Sequence, residues 1–80
     1  MINRRRVLID YTNYRGERHY YEIDPTSLIF GSNEWHPNEQ WMIVADVRRK
    51  DGTDIDNKGR TFVVSKIHSW VEMWIVQPGS

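Results

Sequence analysis

The sequence predicts a small all-β domain: a β-barrel of five to six strands with at most short helical turns. Three observations predict it. Apolar residues recur at every second position in Val7–Tyr11, Arg18–Asp24 and Val71–Val76, the period of a half-buried strand. Turn sequences carrying glycine, Arg15-Gly16, Asp51-Gly52 and Lys58-Gly59, punctuate the apolar runs. No stretch keeps a convincing helical period beyond two turns. Curling so short a sheet on itself removes most free strand edges, which makes an SH3- or Sm-like barrel the expected architecture.

Taken in order, residues 1–6 read as a polar, flexible N-terminal tail and Val7–Tyr11 as the first strand, with Val7, Ile9 and Tyr11 on one face. Gly16 supplies the positive φ of a tight hairpin. In the returning strand, Arg18–Asp24, the residues His19, Tyr21 and Ile23 share a face. Pro25 lacks an N–H for the ladder and is expected to end that strand. Ser27–Phe30 reads as a short third strand closed by Gly31. Trp41–Val47 is nearly all apolar until Asp46, as expected of a strand covered on both faces.

The charged stretch Arg48–Gly59 reads as an exposed excursion or long hairpin tip. Arg60–Ser65 resumes as a strand, Lys66–Trp70 as one helical turn or a kink, and Val71–Val76 as the last strand. Residues 7–76 therefore form one domain, and 77–80 a C-terminal tail.

Between Phe30 and Trp41 lies the most aromatic connection of the chain, with Trp35, His36 and Pro37 at its centre. Leaving rings that can each bury ~150–250 Å² in water is unfavourable, so this loop is expected to fold back over the mouth of the barrel. Trp41 is assigned to the core and Trp35 to the loop surface.

Composition excludes several classes. There is no cysteine, so neither a disulfide framework nor a thiolate metal site can form. No run approaches the ~20 apolar residues of a membrane span, and no signal-type segment follows the basic start. A soluble protein of the reducing cytoplasm is expected. Eleven basic and eleven acidic residues cancel, which argues against broad electrostatic coating of DNA. Local basic patches remain at Arg4-Arg5-Arg6 and Arg48-Arg49-Lys50. The run Asp54-Ile55-Asp56-Asn57 lacks the ligand ladder of a calcium loop, so no metal is expected there.

Catalysis finds little support. His19, His36 and His68 form no ligand-spaced pair. His36 is the best placed to act as a base, yet no nucleophile elbow or oxyanion motif surrounds it. No enzymatic activity and no cofactor are expected. Binding fares better. Arg60, with Tyr11, Trp35 and His36, is the expected ligand-binding set, where a planar group stacks while a guanidinium holds a phosphate.

Several residues also carry a family resemblance. Ile9-x-Tyr11, Ile23-x-Pro25, Trp41-Met42-Ile43-x-Ala45, Arg60-x-Phe62 and Ile67 resemble, in order and spacing, the WYL domain over roughly Val7 to Trp70. The tract Phe30–Trp41 is similar to small stand-alone WYL-like proteins of bacteria and their phages. The resemblance implies an Sm-like barrel acting as a regulatory, ligand-sensing module that takes nucleotides or nucleic acid on a basic, aromatic-lined patch. The arginine that the pattern places before its phenylalanine is present as Arg60. Departures are Tyr21 where the pattern has a second arginine, the acidic Asp24 before the proline, and Met42 at the middle of the name motif. Only six residues precede the first strand, too few for the helix-turn-helix that usually accompanies such domains.

Two partner classes follow: a nucleotide or short nucleic acid, or another protein. Trp70 and Trp74 near the last strand are candidates for an apolar surface that makes a homodimer or inhibits a host complex, with strand addition as the natural mode.

Overall fold

The alternation in the first apolar run becomes the core side of strand β1 (Asn3–Thr12), where Val7, Ile9 and Tyr11 are buried. The computed structural model describes the backbone of residues 3–76 and the side chains of residues 6–73. The expected C-terminal tail and the side chains of Arg4, Arg5 and Trp74 lie outside the described residues. β1 begins at Asn3 and not at Val7, because residues 3–6 pair along the last strand, from Asn3↔Val76 to Arg6↔Met73. The expected N-terminal tail is therefore strand from Asn3 onward.

Asn13–Glu17 turns the chain into β2 (Arg18–Gly31), with Gly16 at φ +79°. β2 absorbs the separate third strand expected at Ser27–Phe30 and runs through Pro25 without ending there. A bulge between Pro25 and Ser27 accommodates the missing N–H, and the Thr26 hydroxyl donates to the Val44 carbonyl at 2.9 Å beside it. On its β1 side, β2 pairs only from Arg18 to Ile23, so no ladder there needs a donor from Pro25.

β3 (Gln40–Lys50) and β4 (Thr53–Val63) are joined by Asp51-Gly52 alone. Both turn residues have positive φ, +51° and +81°, the signature of a two-residue hairpin turn matched to strand twist. The expected excursion over Arg48–Gly59 is thus mostly strand. Its second turn signal, Lys58-Gly59, is an irregularity inside β4, where Gly59 at φ +66° donates its N–H to the Asp46 carboxylate at 3.0 Å. A 3-10 turn, Val64–Lys66, leads into β5 (Ile67–Val76). The helical turn expected at Lys66–Trp70 lies earlier in the chain, and Ile67–Trp70 is strand.

All five strands lie in one antiparallel sheet of order β4-β3-β2-β1-β5. The protein is all-β, and among the described residues it contains no α-helix. Tyr11 on β1 and Phe62 on β4 are three strand steps apart, ~14 Å in a flat sheet, yet their rings meet edge to face at 4.9 Å. The sheet is therefore strongly coiled. Its concave side holds the core of Val7, Ile9, Tyr11, Tyr21, Ile23, Ala45, Val47 and Phe62.

The coil does not close into a hydrogen-bonded barrel. β4 and β5 are its two edges, and no ladder joins them among the described residues. The single 3-10 turn carries the chain across the open side, where Tyr11 Oη accepts the Val63 N–H at 2.9 Å.

The expectation for Trp41 is corrected. Its side chain is 54% exposed, and the buried residue is its neighbour Met42, 1% exposed. Ala45 and Val47, two-residue steps along the strand from Trp41, do reach the core and Ile43 packs against it, so Trp41 is exposed because it falls beyond the end of that cluster and not because the faces of β3 are exchanged. Trp41 instead contacts Phe30, its register partner on β2, with ring centroids 5.2 Å apart.

Candidate functional site

The β1–β2 turn is built by Asn13, which is 8% exposed. Its Oδ1 accepts the N–H groups of Arg15 and Glu17 at 3.0 and 2.9 Å, and its Nδ2 donates to Glu17 Oε1 at 3.1 Å. Asparagine suits this role because its short amide reproduces backbone bonding two residues on. The consequence is presentation: Tyr14, at the apex, is held half-exposed.

The β2–β3 loop uses the same device. Asn33 Oδ1 accepts the N–H groups of Trp35 and His36 at 3.0 and 2.8 Å, while Asn33 and His36 exchange backbone bonds of 2.9 and 3.2 Å. The loop is folded back as its aromatic content demands. Trp35 lies against Tyr14, centroids 5.1 Å apart and planes inclined by 37°, and remains 56% exposed.

These two turns and the middle of β4 enclose a cleft of about 470 Å³. Tyr14, Trp35 and His36 line it from the turns, and Lys58 and Arg60 from β4. Three of the four expected binding residues, Trp35, His36 and Arg60, thus share one cleft. The fourth, Tyr11, does not: it is 2% exposed, its hydroxyl is committed to Val63, and burial pushes its pKa above the usual tyrosine range. Tyr14 takes the place expected for it. The signal for Tyr14 was present in the sequence, as an aromatic residue inside a polar turn (Asn13-Tyr14-Arg15-Gly16) where it can reach no core.

Arg60 is positioned by the core below it. Its guanidinium lies over the Tyr21 and Phe62 rings at 4.7 and 5.2 Å, and Nη2 donates to Tyr21 Oη at 3.3 Å. Tyr21 therefore serves as a platform for Arg60. The nearby Asp46 carboxylate accepts the Gly59 N–H.

Charge is distributed unevenly among the described arginines. Arg6 and Arg48 share Asp24 at 3.0 and 2.9 Å, Arg18 binds Asp10 at 2.8 Å, and Arg49 binds Asp54 at 3.1 Å. Arg15 and Arg60 alone among them have no carboxylate within ion-pair distance. Arg15 sits over the Tyr14 ring at 5.5 Å and donates to its hydroxyl at 3.1 Å, so both uncommitted arginines stand beside the cleft. Glu34 is the acidic residue in the lining.

Burial holds the His36 imidazole below the usual histidine range, and the Lys66 charge adds to the effect. His36 is therefore neutral at pH 7 and offers the cleft a hydrogen-bonding group without charge. Among the described residues, no cluster of three or more His, Asp or Glu side chains is placed to hold a metal ion. Comparison with protein-family models, with characterised proteins and with solved structures finds no match to this chain.

Proposed function

We propose that this protein is a non-enzymatic, WYL-like regulatory module that binds a nucleotide or short single-stranded oligonucleotide in the cleft between its two turns. The observation that carries this reading is that Arg60 and the Tyr14/Trp35 pair line one cleft, with Arg15 over the Tyr14 ring beside it and neither arginine paired to a carboxylate. An aromatic face takes any base by stacking, worth ~1–3 kcal/mol per base, and a guanidinium fork takes a phosphate. Neither element suits an uncharged aliphatic ligand. The open, coiled sheet is read here as a variant of the SH3/Sm-like architecture, in keeping with the resemblance drawn from Arg60-x-Phe62 and its companions. The net neutrality of the chain fits a small ligand held at one site better than a long duplex.

Titration calorimetry with a panel of mono-, di- and short oligonucleotides at low salt tests the reading. At least one member should bind tighter than ~1 mM, with affinity falling as salt rises. Arg60→Lys keeps the charge but loses the planar fork, and should lose most of the affinity. Tyr14→Ala should weaken every base to a similar degree. No binding across the panel, or binding indifferent to both substitutions, would overturn the proposal.

A further inference from the structure

Beyond Ile23, β2 leaves β1 behind and continues as an arm paired to β3 alone. Its outer edge, Thr26–Gly31, has no strand partner among the described residues. Leu28, Ile29 and Phe30 on this arm are 60%, 40% and 56% exposed, and Trp41 across the ladder from Phe30 is 54% exposed. Val64 adds a further exposed aliphatic, and together with Phe30, Gln40 and Trp41 it lines a groove of about 300 Å³. Single exposed apolar residues are ordinary, but a contiguous group of this kind marks an interaction surface.

We infer that this arm is a homodimer interface, in which Thr26–Gly31 of two copies pair antiparallel about a two-fold axis near Ile29. Three observations select a second copy as the occupant. First, beyond the bulge between Pro25 and Ser27 the edge is unguarded against strand pairing: Ser27–Gly31 contains no charge and no proline. Second, the segment is compatible with itself. A two-fold axis at Ile29 sets Ile29 against Ile29 and Leu28 against Phe30, so no like charges meet. A partner chosen by charge would find nothing here to recognise.

Third, the area suffices. At ~150–250 Å² for a fully exposed aromatic and somewhat less for an aliphatic, these exposures amount to roughly 500 Å² per copy, or about 1,000 Å² in all. That reaches the lower bound for a specific interface and implies a reversible dimer. The cleft between the turns is a different surface, so the inference stands apart from the ligand proposal.

Sedimentation equilibrium from low-micromolar to several-hundred-micromolar protein tests it. The wild-type chain should shift from its 9.6 kDa monomer toward twice that mass as concentration rises. Ile29→Lys places two ammonium groups at the axis and should hold the chain monomeric throughout the range. Because Ile29 is exposed, its circular dichroism and thermal melt should match the wild type. Val71→Lys, on the β5 edge, should leave the dimer intact. A wild-type chain monomeric at every concentration overturns the inference. So does a dimer that survives Ile29→Lys, or one dissociated only by Val71→Lys, which would move the interface to β5.

Discussion

The hydroxyl of Tyr11 accepts the backbone N–H of Val63 at 2.9 Å, a bond that spans 52 positions of sequence and the open side of the sheet. β4 is an edge strand, and this N–H is buried, so without Tyr11 it would have neither a ladder partner nor water. Aromatic packing alone brings Tyr11 and Phe62 together, but the hydroxyl fixes the end of β4 in place. Tyr11→Phe keeps the ring and strands the donor, which should cost about 1–3 kcal/mol. Urea unfolding of the two proteins, compared at equal slope, measures that difference.

The reversal of Trp41 and Met42 gives a second expectation. Met42→Ala removes a fully buried side chain and should destabilise by about 2–5 kcal/mol. Trp41→Ala trims a half-exposed ring and should cost clearly less, although it is the larger truncation. Thermal melts of both variants check the order, and a greater loss at Trp41 would restore it to the core.

The burial of Met42 in place of Trp41 shows what local pattern can and cannot supply. The β class, the faces of Val7, Ile9, Tyr11, Tyr21 and Ile23, and the Asp51-Gly52 turn follow from short-range rules, because side-chain period and turn chemistry are local properties. Trp41-Met42-Ile43-Val44-Ala45 has no polar residue to mark where the core ends along it, so which members are covered depends on strands that pair from elsewhere in the chain. Pro25 was legible as an interruption but not as a bulge, since β2 continues only because β3 pairs with it on the far side. At the cleft, Arg60, Trp35 and His36 could be found by residue type. Tyr11, expected at the site, is buried by the coil of the sheet, and Tyr14, for which the strand pattern offers no expectation, stands there instead.

Asn13 ties the cleft to the fold. Asn13→Ala removes the acceptor for the N–H groups of Arg15 and Glu17 in a nearly buried turn, and should cost about 1–3 kcal/mol. The same change should release Tyr14 from Trp35, so near-ultraviolet circular dichroism should lose aromatic signal even at temperatures where the chain stays folded. Asn13→Asp keeps the acceptor oxygen but replaces the N–H donated to Glu17 with a second carboxylate, and should retain only part of that signal. Full signal in Asn13→Ala would mean that this side chain is not what presents Tyr14.

Acid should weaken the fold through Asp24. Burial alone would raise its affinity for a proton, but the guanidinium groups of Arg6 and Arg48, bonded to it at 3.0 and 2.9 Å, outweigh burial and hold the carboxyl below its ordinary range. The unfolded chain takes up that proton near pH 3.9, while the folded chain resists it to lower pH. The stability supplied by Asp24 is therefore complete above about pH 5 and drains away as pH falls through the unfolded value toward the folded one. Asp10, held down by its hydrogen bond to Arg18, and Asp51, held down by the Tyr20 N–H and His19, act in the same direction. Asp24→Asn should cost about 1.5–3 kcal/mol at neutral pH, the range for hydrogen bonds to a charged group. It should also flatten the dependence of stability on pH between roughly 5 and 3. Denaturant midpoints of wild type and variant across that window check the slope. Parallel curves would place the acid sensitivity on Asp10 and Asp51 instead.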